Sequence, residues 1–275
     1  MIGPRALPVL VVVLLAACSS AATPSTSSAP SAGTVAAVAA PDDVGPELVV
    51  GNPPPRPAQP AMAAGYAPSL VPDHCVDRDL AAPLADDGTL TVLDRSYALP
   101  ADHVPPDLVA ASAAGLEGAS GARLVRQILI DDLRAMRIAW QAAGLTIELE
   151  SGYRSYADQA TTFNGWAARI GHAAALVRTA RPGHSEHQLG TAVDVISPGW
   201  SGRFGDWAIE SAEGAWMAAH AWEYGFVMSY PADGIAETCF GYEPWHYRWI
   251  GREAAGEHRA SGLHLRRFLE RQVDR

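Results

Sequence analysis

The pattern of apolar and polar positions changes near residue 70 and is regular from there to the end of the chain. Residues 88–93 and 146–150 alternate between apolar and polar side chains, which predicts two strands. Between them, apolar residues recur at helical spacing, which predicts a helix over about residues 120–143 that Gly144 ends. The residues that set this spacing are Val125, Leu129, Leu133, Met136 and Trp140.

The second half of the chain continues with short helices and strands in no regular alternation. Ser155 is a favourable N-cap, and Asp158 adds a negative charge to the first turn of the helix that follows. Further patterns predict helices at about 172–179 and 212–224, strands at 191–196, 226–229 and 245–250, and two short helices near Arg252 and Leu263. This order predicts an α+β fold, with a single domain in which helices flank a small, largely antiparallel sheet.

Residues 1–17 have the features of an export signal. Arg5 precedes an apolar run that is too short to span a bilayer, and the run ends in small residues immediately before Cys18. This ending resembles the bacterial lipobox, in which the cysteine becomes the lipidated N-terminus. Ordinary signal cleavage, with Cys18 incidental, is the alternative. We expect lipidation at Cys18, because a polar tract follows it as a tether would.

The segment 18–70 is rich in Ser, Thr, Ala and Pro and carries few charges. Such a composition cannot bury enough apolar surface to offset its ordering entropy, which predicts a disordered tether. The folded domain is therefore expected over residues 71–275. We expect the lipid anchor to hold this domain in the cell-wall space, on the outer face of a bacterial cytoplasmic membrane.

The charge of the chain argues against a nucleic-acid partner. Twenty basic residues, all of them arginine, stand against 30 acidic residues, for a formal net charge of -10, and no run of five basic residues occurs. No segment after the export signal is long and apolar enough to span a membrane, so the lipid anchor is the only membrane contact that we predict. We expect a monomer.

Two cysteines fall within the expected domain, Cys75 and Cys239. Disulfides persist in proteins outside the cytoplasm, so a bridge between these two residues is our hypothesis. The bridge would tie the start of the domain to the loop before Glu243. Two free, buried thiols are the alternative. Neither cysteine has a partner at zinc-finger spacing.

A candidate metal site begins at residues 185–194. His187 and Asp194 can reach one ion if Gly190 lets the chain turn between them, and His246 would arrive from a neighbouring strand. Imidazole nitrogen and carboxylate oxygen are ligands that suit Zn²⁺, and a catalytic zinc keeps three protein ligands with one further position for water or substrate. The pattern therefore predicts that these two histidines and the aspartate bind Zn²⁺.

A glutamate lies close to the third candidate ligand. Pro244 disfavours a helix between Glu243 and His246, so we expect an extended or turn conformation from which Glu243 can point towards the metal. A carboxylate at that point can act as general base towards a water that zinc activates. A structural salt bridge between Glu243 and Arg248 is the alternative.

Three motifs together resemble the zinc D-alanyl-D-alanine carboxypeptidases typified by VanY, which are related to the VanX dipeptidase. Their order, spacing and flanking residues match over roughly residues 90–251. The motifs are Ser-Gly-Tyr-Arg-Ser at 151–155, Ser-Glu-His-Gln-x-Gly-x-Ala-x-Asp at 185–194, and Glu-Pro-Trp-His-x-Arg at 243–248.

This resemblance implies a hydrolase that removes the C-terminal D-alanine from peptidoglycan stem peptides, with Zn²⁺ on the three ligands and Glu243 as general base. It also implies that Arg154 lies in the site, where it either stabilises the developing oxyanion or holds the substrate's terminal carboxylate. Gln159 and Ser185 match family positions that line the substrate pocket. The alternatives are a D-Ala-D-Ala dipeptidase or a cell-wall endopeptidase on the same scaffold, and a catalytically inactive cell-wall binding module.

Two neighbouring features need separate interpretation. His184 precedes the ligand His187 by three residues, and we expect it to shape the turn or to support the ligands from behind. The aromatic residues Trp200, Phe204 and Trp207 either form a lid over the site or pack as an ordinary surface loop, and the sequence leaves both interpretations open.

Overall fold

The computed structural model describes residues 74–84, 87–116 and 123–273. The predicted export signal, the lipidation site Cys18 and the tether all lie outside these residues. Within the described part of the chain, short strands and helices are mixed, as the pattern of apolar positions predicts. The bounds of the elements decide which side chains meet.

A four-stranded sheet forms the centre of the fold. Its strand order is β5-β6-β8-β7, and every neighbouring pair is antiparallel. The predicted α+β fold with a small antiparallel sheet is therefore confirmed. The strands span Glu148–Ser151 (β5), Ala192–Ile196 (β6), Phe226–Met228 (β7) and His246–Trp249 (β8).

The register of the two inner strands brings distant residues into contact. Asp194 on β6 lies directly opposite His246 on β8, and Ala192 lies opposite Arg248. Ser151 at the end of β5 also pairs with Asp194, next to a shift in register. Because side chains alternate between the two faces of a strand, His246 and Arg248 share one face of the sheet and Tyr247 and Trp249 share the other.

Two smaller sheets lie outside the central one. A parallel pair joins β1 to β2, and an antiparallel pair joins β3 to β4. These strands span Leu80–Ala81 (β1), Tyr97–Ala98 (β2), Leu108–Ala110 (β3) and Leu124–Arg126 (β4).

Eight α-helices occur in the described residues, and the second of them begins as its sequence predicts. The Ser155 hydroxyl accepts a hydrogen bond from the Asp158 backbone N–H at 3.2 Å, which caps this helix. The helices span Ile130–Ala142 (α1), Tyr156–Ile170 (α2), His172–Arg178 (α3), Trp207–Glu210 (α4), Ala212–His220 (α5), Ile235–Thr238 (α6), Arg252–Ser261 (α7) and Leu265–Val273 (α8).

The main hydrophobic core includes the side chains of Tyr247 and Trp249, from the face of β8 opposite His246. Large side chains of α1 and α5 fill it, and burial of this apolar surface is the main force that holds the helices on the sheet. The sheet therefore has a packed apolar face, and the other face of β8 carries the polar groups His246 and Arg248. Core residues from the helices include Leu133, Met136, Trp140 and Met217.

Two elements differ from the sequence prediction. The predicted strand at 88–93 is wrong, because this segment forms a turn followed by irregular backbone. Its carbonyl groups are used elsewhere: those of Thr89 and Thr91 accept hydrogen bonds from the buried Arg248 guanidinium. The helix predicted from about residue 120 is preceded by β4 and a short 3₁₀ turn, so α1 starts only at Ile130.

A disulfide joins Cys75 to Cys239, across a sequence separation of 164 residues. The structure therefore contains the bridge that was our hypothesis. It links the first described residues to the end of α6, four residues before Glu243. Among the described residues, no helix has the length and apolar character needed to cross a bilayer.

Candidate metal centre and active site

A tight turn brings the two ligands of the first metal motif together. A 3₁₀ helix, Glu186–Leu189, ends at Gly190, which has a left-handed backbone with φ of 70°. A Cβ atom at this position would lie 2.9 Å from Arg126 Cγ and 3.0 Å from Leu108 Cδ2, so glycine is required both by the backbone and by the space. The chain then runs directly into β6, which carries Asp194.

The three predicted ligands converge. Donor atoms of His187, Asp194 and His246 all lie within 4.8 Å of one another. His187 Nε2 is 3.1 Å from Asp194 Oδ2, and His246 Nδ1 is 2.9 Å from Asp194 Oδ1. Two imidazole nitrogens and a carboxylate oxygen this close together form a donor set that fits a catalytic Zn²⁺, which typically keeps three protein ligands.

Hydrogen bonds on the far side of each imidazole fix which nitrogen faces the metal. His187 Nδ1 lies 2.7 Å from the Gly152 carbonyl oxygen, which can only accept, so Nδ1 carries the proton and Nε2 is free to bind. His246 Nε2 lies 2.9 Å from the Glu186 carboxylate, which leaves Nδ1 for the metal. Both rings are thereby held in the tautomer that a metal ligand requires.

Glu186 is a functional residue that the sequence analysis missed. It is buried and accepts hydrogen bonds from Ser229 Oγ at 2.6 Å and from Arg248 Nη1 at 2.9 Å, besides the one from His246. Burial opposes its ionisation, but the charge of Arg248 and the hydrogen bond with His246 outweigh this and lower the pKa of Glu186 to about 2. Glu186 is therefore a permanent anion, and Arg248 pairs with it and not with Glu243.

The three ligands differ in their charge states in the metal-free site. Burial lowers the pKa of His187, so this imidazole is neutral, as a ligand must be. Burial alone would also lower the pKa of His246, but hydrogen bonds with Asp194 and Glu186 raise it to about 10. The two imidazoles beside Asp194 outweigh its burial and hold its pKa well below the usual range. In the metal-free state His246 therefore binds a proton, which zinc must displace.

Glu243 lies at the wall of the same site but in a different electrostatic environment. Its nearest cation is Arg178, at 3.8 Å from Oε1. Burial raises the pKa of Glu243 to about 7, although His246 and Arg178 oppose this rise. The backbone turn predicted from Pro244 is present, because the His246 N–H donates to the Glu243 carbonyl oxygen. A carboxyl group with this pKa can both take up and release a proton near neutral pH.

Arg154 is held beside the metal centre by three neighbours. Its guanidinium donates to Gln159 Oε1 at 2.7 Å and to Ser151 Oγ at 3.1 Å, and lies 3.6 Å from Asp194 Oδ2. Gln159 is fully buried, and its amide nitrogen donates to Thr179 Oγ1 and to the Ala180 carbonyl oxygen. The structure thus places Gln159 behind Arg154, with both ends of its amide engaged by the protein.

A cavity of about 280 Å³ lies over the metal centre. Its wall includes Ser185, which sequence analysis assigned to the substrate pocket. It also includes three residues that sequence analysis missed, and the first is Tyr230, whose ring stacks on His246 at 5.0 Å. The other two are Trp166 and Arg178, which contact each other. No motif marks these three positions, and only the fold brings them to the site.

His184 and the aromatic residues of the 200–207 loop lie around the site in different roles. His184 faces away from the metal ligands, with Nδ1 2.7 Å from the Asp94 carbonyl oxygen and Nε2 3.0 Å from Asp79 Oδ1, so it fixes the turn. Phe204 lines the cavity and packs edge-on against Trp245. Trp207 is fully buried in the main hydrophobic core and Trp200 packs against that core, so this loop is partly core and partly cavity wall.

Comparison of sequences identifies the chain's relatives. The model of the VanY family, described as D-alanyl-D-alanine carboxypeptidase, matches residues 122–252. The putative carboxypeptidase YodJ of Bacillus subtilis (strain 168) is 33% identical over 183 residues, which cover 66% of this chain and 67% of the relative.

Solved structures share the fold. The LdcB LD-carboxypeptidase superposes with a TM-score of 0.61 at 31% identity, over 67% of this chain and 86% of that one. A mutant of the vancomycin resistance D,D-pentapeptidase VanY, in complex with Zn(II), superposes with a TM-score of 0.54 at 28% identity. The superposition covers 66% of this chain and 98% of that one. The predicted zinc cofactor is confirmed by this zinc complex together with the donor set found here. The motifs, the fold and the converging ligands agree, and the chain belongs to the VanY family of zinc D-alanyl-D-alanine carboxypeptidases.

Proposed function

We propose that the protein hydrolyses the peptide bond before the C-terminal D-alanine of peptidoglycan stem peptides. The observation that carries this proposal is the convergence of three zinc ligands, a glutamate and an arginine on one cavity. A cavity of about 280 Å³ can enclose the end of a peptide and leave the rest of the chain outside.

The metal would be held by His187, Asp194 and His246. Zinc bound there supplies a Lewis acid that polarises the scissile carbonyl and makes a water molecule more acidic. The chain itself holds the two imidazoles in the binding tautomer through Gly152 and Glu186.

Glu243 transfers the proton. Its carboxylate accepts a proton from the attacking water as the new C–O bond forms, and it gives this proton to the amine nitrogen as the C–N bond breaks. The products are a stem peptide with one residue fewer, which ends in a carboxylate, and free D-alanine. The raised pKa of about 7 fits this double role, because the carboxyl is partly protonated and partly ionised near neutral pH.

Arg154 stabilises the negative charge that develops on the carbonyl oxygen. Its guanidinium lies 3.6 Å from the metal ligand Asp194, and Gln159 and Ser151 hold it in place. A preorganised cation at this point requires little rearrangement during the reaction, which is the main source of electrostatic catalysis in enzymes of this kind.

The site of action follows from the sequence and forms part of the proposal. The predicted export signal over residues 1–17, Cys18 and the Ser- and Pro-rich segment 18–70 support an enzyme that is lipid-anchored on the outer face of the cytoplasmic membrane, and we propose that it acts there as a monomer. Peptidoglycan stem peptides lie in that compartment. Fractionation of a producing cell, with mass analysis of Cys18, tests this part: a soluble protein without lipid would contradict it.

Product analysis tests the activity. The purified protein should release D-alanine from a muramyl pentapeptide, and a chelator should stop the release until zinc is restored. A muramyl tetrapeptide as second substrate separates the two specificities of the relatives, since LdcB is an LD-carboxypeptidase and VanY a D,D-pentapeptidase. Release of D-Ala-D-Ala in place of D-alanine would identify a dipeptidase, and no release from either peptide would contradict the proposal.

A further inference from the structure

Arg178 is a cation in the active-site cavity that the mechanism above does not use. It is the last residue of α3, its side chain is 24% exposed, and it lines the same cavity as the metal ligands. We infer that Arg178 binds the terminal carboxylate of the substrate and so restricts the enzyme to peptides with a free C-terminus. This inference rests on the proposed hydrolysis of a terminal D-alanine bond.

The guanidinium of Arg178 is held by stacking. It lies over the ring of Trp166 at 5.0 Å and over the ring of Trp245 at 5.2 Å. Cation–π contacts with two indoles restrict the position of the group and cover its apolar faces. The N–H groups at its edges are left for polar partners.

These N–H groups have few partners within the protein. Among the described residues Arg178 forms no hydrogen bond, and its one ion pair is the contact with Glu243 at 3.8 Å, beyond hydrogen-bond distance. Arg154 differs, because two of its nitrogens already donate to Gln159 and Ser151. A guanidinium with free donors in a partly buried cavity suits a bidentate carboxylate from outside the protein.

The position of Arg178 relative to Glu243 indicates which carboxylate it binds. Glu243 gives its proton to the leaving amine nitrogen in the proposed reaction. In a C-terminal residue this nitrogen and the carboxylate carbon are bonded to the same Cα, so they are only two bonds apart. A cation next to Glu243 therefore lies where the terminal carboxylate of the leaving D-alanine must be.

The two arginines then have separate roles. Arg154 is the one of the pair that contacts a metal ligand, Asp194, and it acts on the scissile carbonyl oxygen. Arg178 contacts the proton carrier Glu243 and acts on the carboxylate of the leaving residue. The sequence left both roles open for Arg154, and the contacts of the two side chains assign one role to each arginine.

Matched substrates with a free acid or an amide at the C-terminus test this assignment. The wild-type enzyme should prefer the acid form of a D-Ala-D-Ala-terminated peptide by about 10- to 100-fold in kcat/KM, as expected for hydrogen bonds to a charged group. Assayed well above pH 7, where Glu243 is ionised with or without the charge of Arg178, Arg178→Gln should lower kcat/KM for the acid by this factor, mainly through KM, and leave the amide almost unchanged. Arg178→Lys should recover only part of the preference, because it retains the charge and loses the planar fork.

Two other variants serve as references. Arg169 also lies over Trp166, at 5.9 Å, but is not part of the cavity wall, so Arg169→Gln should keep the full acid preference. Arg154→Gln should lower kcat for acid and amide alike. If Arg178→Gln slowed both substrates equally, or if Arg154→Gln abolished the preference for the acid, our assignment would be overturned.

Binding measurements separate this inference from the proposed reaction. Calorimetry of the zinc-loaded protein with D-alanine and with D-alaninamide needs no turnover. Wild type should bind the acid more tightly, and Arg178→Gln should bind the two equally. If wild type binds the acid more tightly than the amide but hydrolyses neither peptide, only the proposed activity is refuted. If it hydrolyses the peptide but binds the acid and the amide equally, only the role of Arg178 is refuted.

Discussion

Two glutamates near His246, the buried Glu186 and the partly buried Glu243, have opposite properties. Glu186 contacts the His246 ring, Arg248 and Ser229, and its pKa is lowered to about 2. Glu243 has Arg178 at 3.8 Å as its nearest cation, and its pKa is raised to about 7. Burial opposes the ionisation of both carboxyl groups, so burial alone does not decide the charge. The charge of Arg248 and the hydrogen bonds that Glu186 accepts decide it, and Glu243 has only a more distant cation.

This difference assigns the two groups to different tasks. A carboxylate that stays ionised at all physiological pH values can orient an imidazole and neutralise Arg248, but it cannot shuttle protons. A carboxyl group with a pKa near 7 can shuttle protons, but its ionised form has few partners in the protein and contributes little to the stability of the fold. The following experiments test whether the two residues really differ in this way.

The largest effect is expected for Glu243→Gln. Removal of the proton carrier should lower kcat by about 100- to 10,000-fold, because general acid–base catalysis contributes a factor of that size. Zinc content should remain unchanged, since Glu243 is not among the converging ligands. Steady-state kinetics on the pentapeptide and metal analysis measure both quantities. Glu253→Gln, on the exposed surface of α7, controls for loss of a carboxylate, and a fully active Glu243→Gln would remove Glu243 from the mechanism.

Glu186→Gln should affect stability and metal binding. Loss of the carboxylate leaves Arg248 buried without its charged partner, which typically costs about 3–5 kcal/mol in the free energy of unfolding. Zinc affinity should fall about 10- to 100-fold, because His246 loses the group that orients it. Urea unfolding of the metal-free protein and competition with a chelator measure the two effects. Glu243→Gln should not destabilise the fold, and equal destabilisation by the two variants would refute the contrast.

The pH dependence of stability should distinguish the same residues. The pKa of Glu186 is lowered from 4.5 to about 2 in the folded state, so its contribution is complete above pH 4.5 and is lost as the pH falls towards 2. The size of this loss is roughly 3 kcal/mol. Metal-free wild type should therefore lose more stability between pH 5 and pH 3 than Glu186→Gln does, as measured by urea unfolding. Parallel curves for the two proteins would show that Glu186 is not held as an anion.

The smallest effect expected is on the pH profile of the rate. Glu243 must be ionised to accept a proton, so kcat/KM should fall about tenfold per pH unit on the acid side of its pKa. The apparent pKa should lie above the ordinary 4.5 and no higher than about 7, because bound zinc adds a positive charge that favours the carboxylate. Kinetics over a series of buffers measure it. A rate that stays constant down to pH 4.5 would contradict the raised pKa.

Local signals in the sequence predicted the elements that carry the ligands. The cap at Ser155, the turn at Gly190 and the apolar run around Asp194 each depend on neighbouring residues, so their effects can be predicted without the fold. His246 was predicted as a ligand because the motif around it is distinctive. The sequence also predicted that His246 arrives from a neighbouring strand, but the register that sets it opposite Asp194 followed from the fold alone.

Contacts between distant residues could not be predicted in the same way. Glu186 and Arg248 lie 62 residues apart, and nothing in the spacing of the chain indicates that they pair. The alternation at 88–93 suggested a strand, but Arg248 takes up the carbonyl groups of Thr89 and Thr91 that a ladder would have used. The cavity arginine Arg178 is placed by α3 and by two tryptophans, so its role depends on tertiary structure alone.

The direct pairing of Asp194 with His246 also makes the metal centre a check on correct folding. A slip of one residue between β6 and β8 would bring Tyr247 to this position and direct His246 into the hydrophobic core. Such a misaligned sheet would lack one of the three ligands and could not hold the ion tightly. Zinc therefore stabilises the correctly aligned fold, and a misaligned sheet gains little stability from the ion.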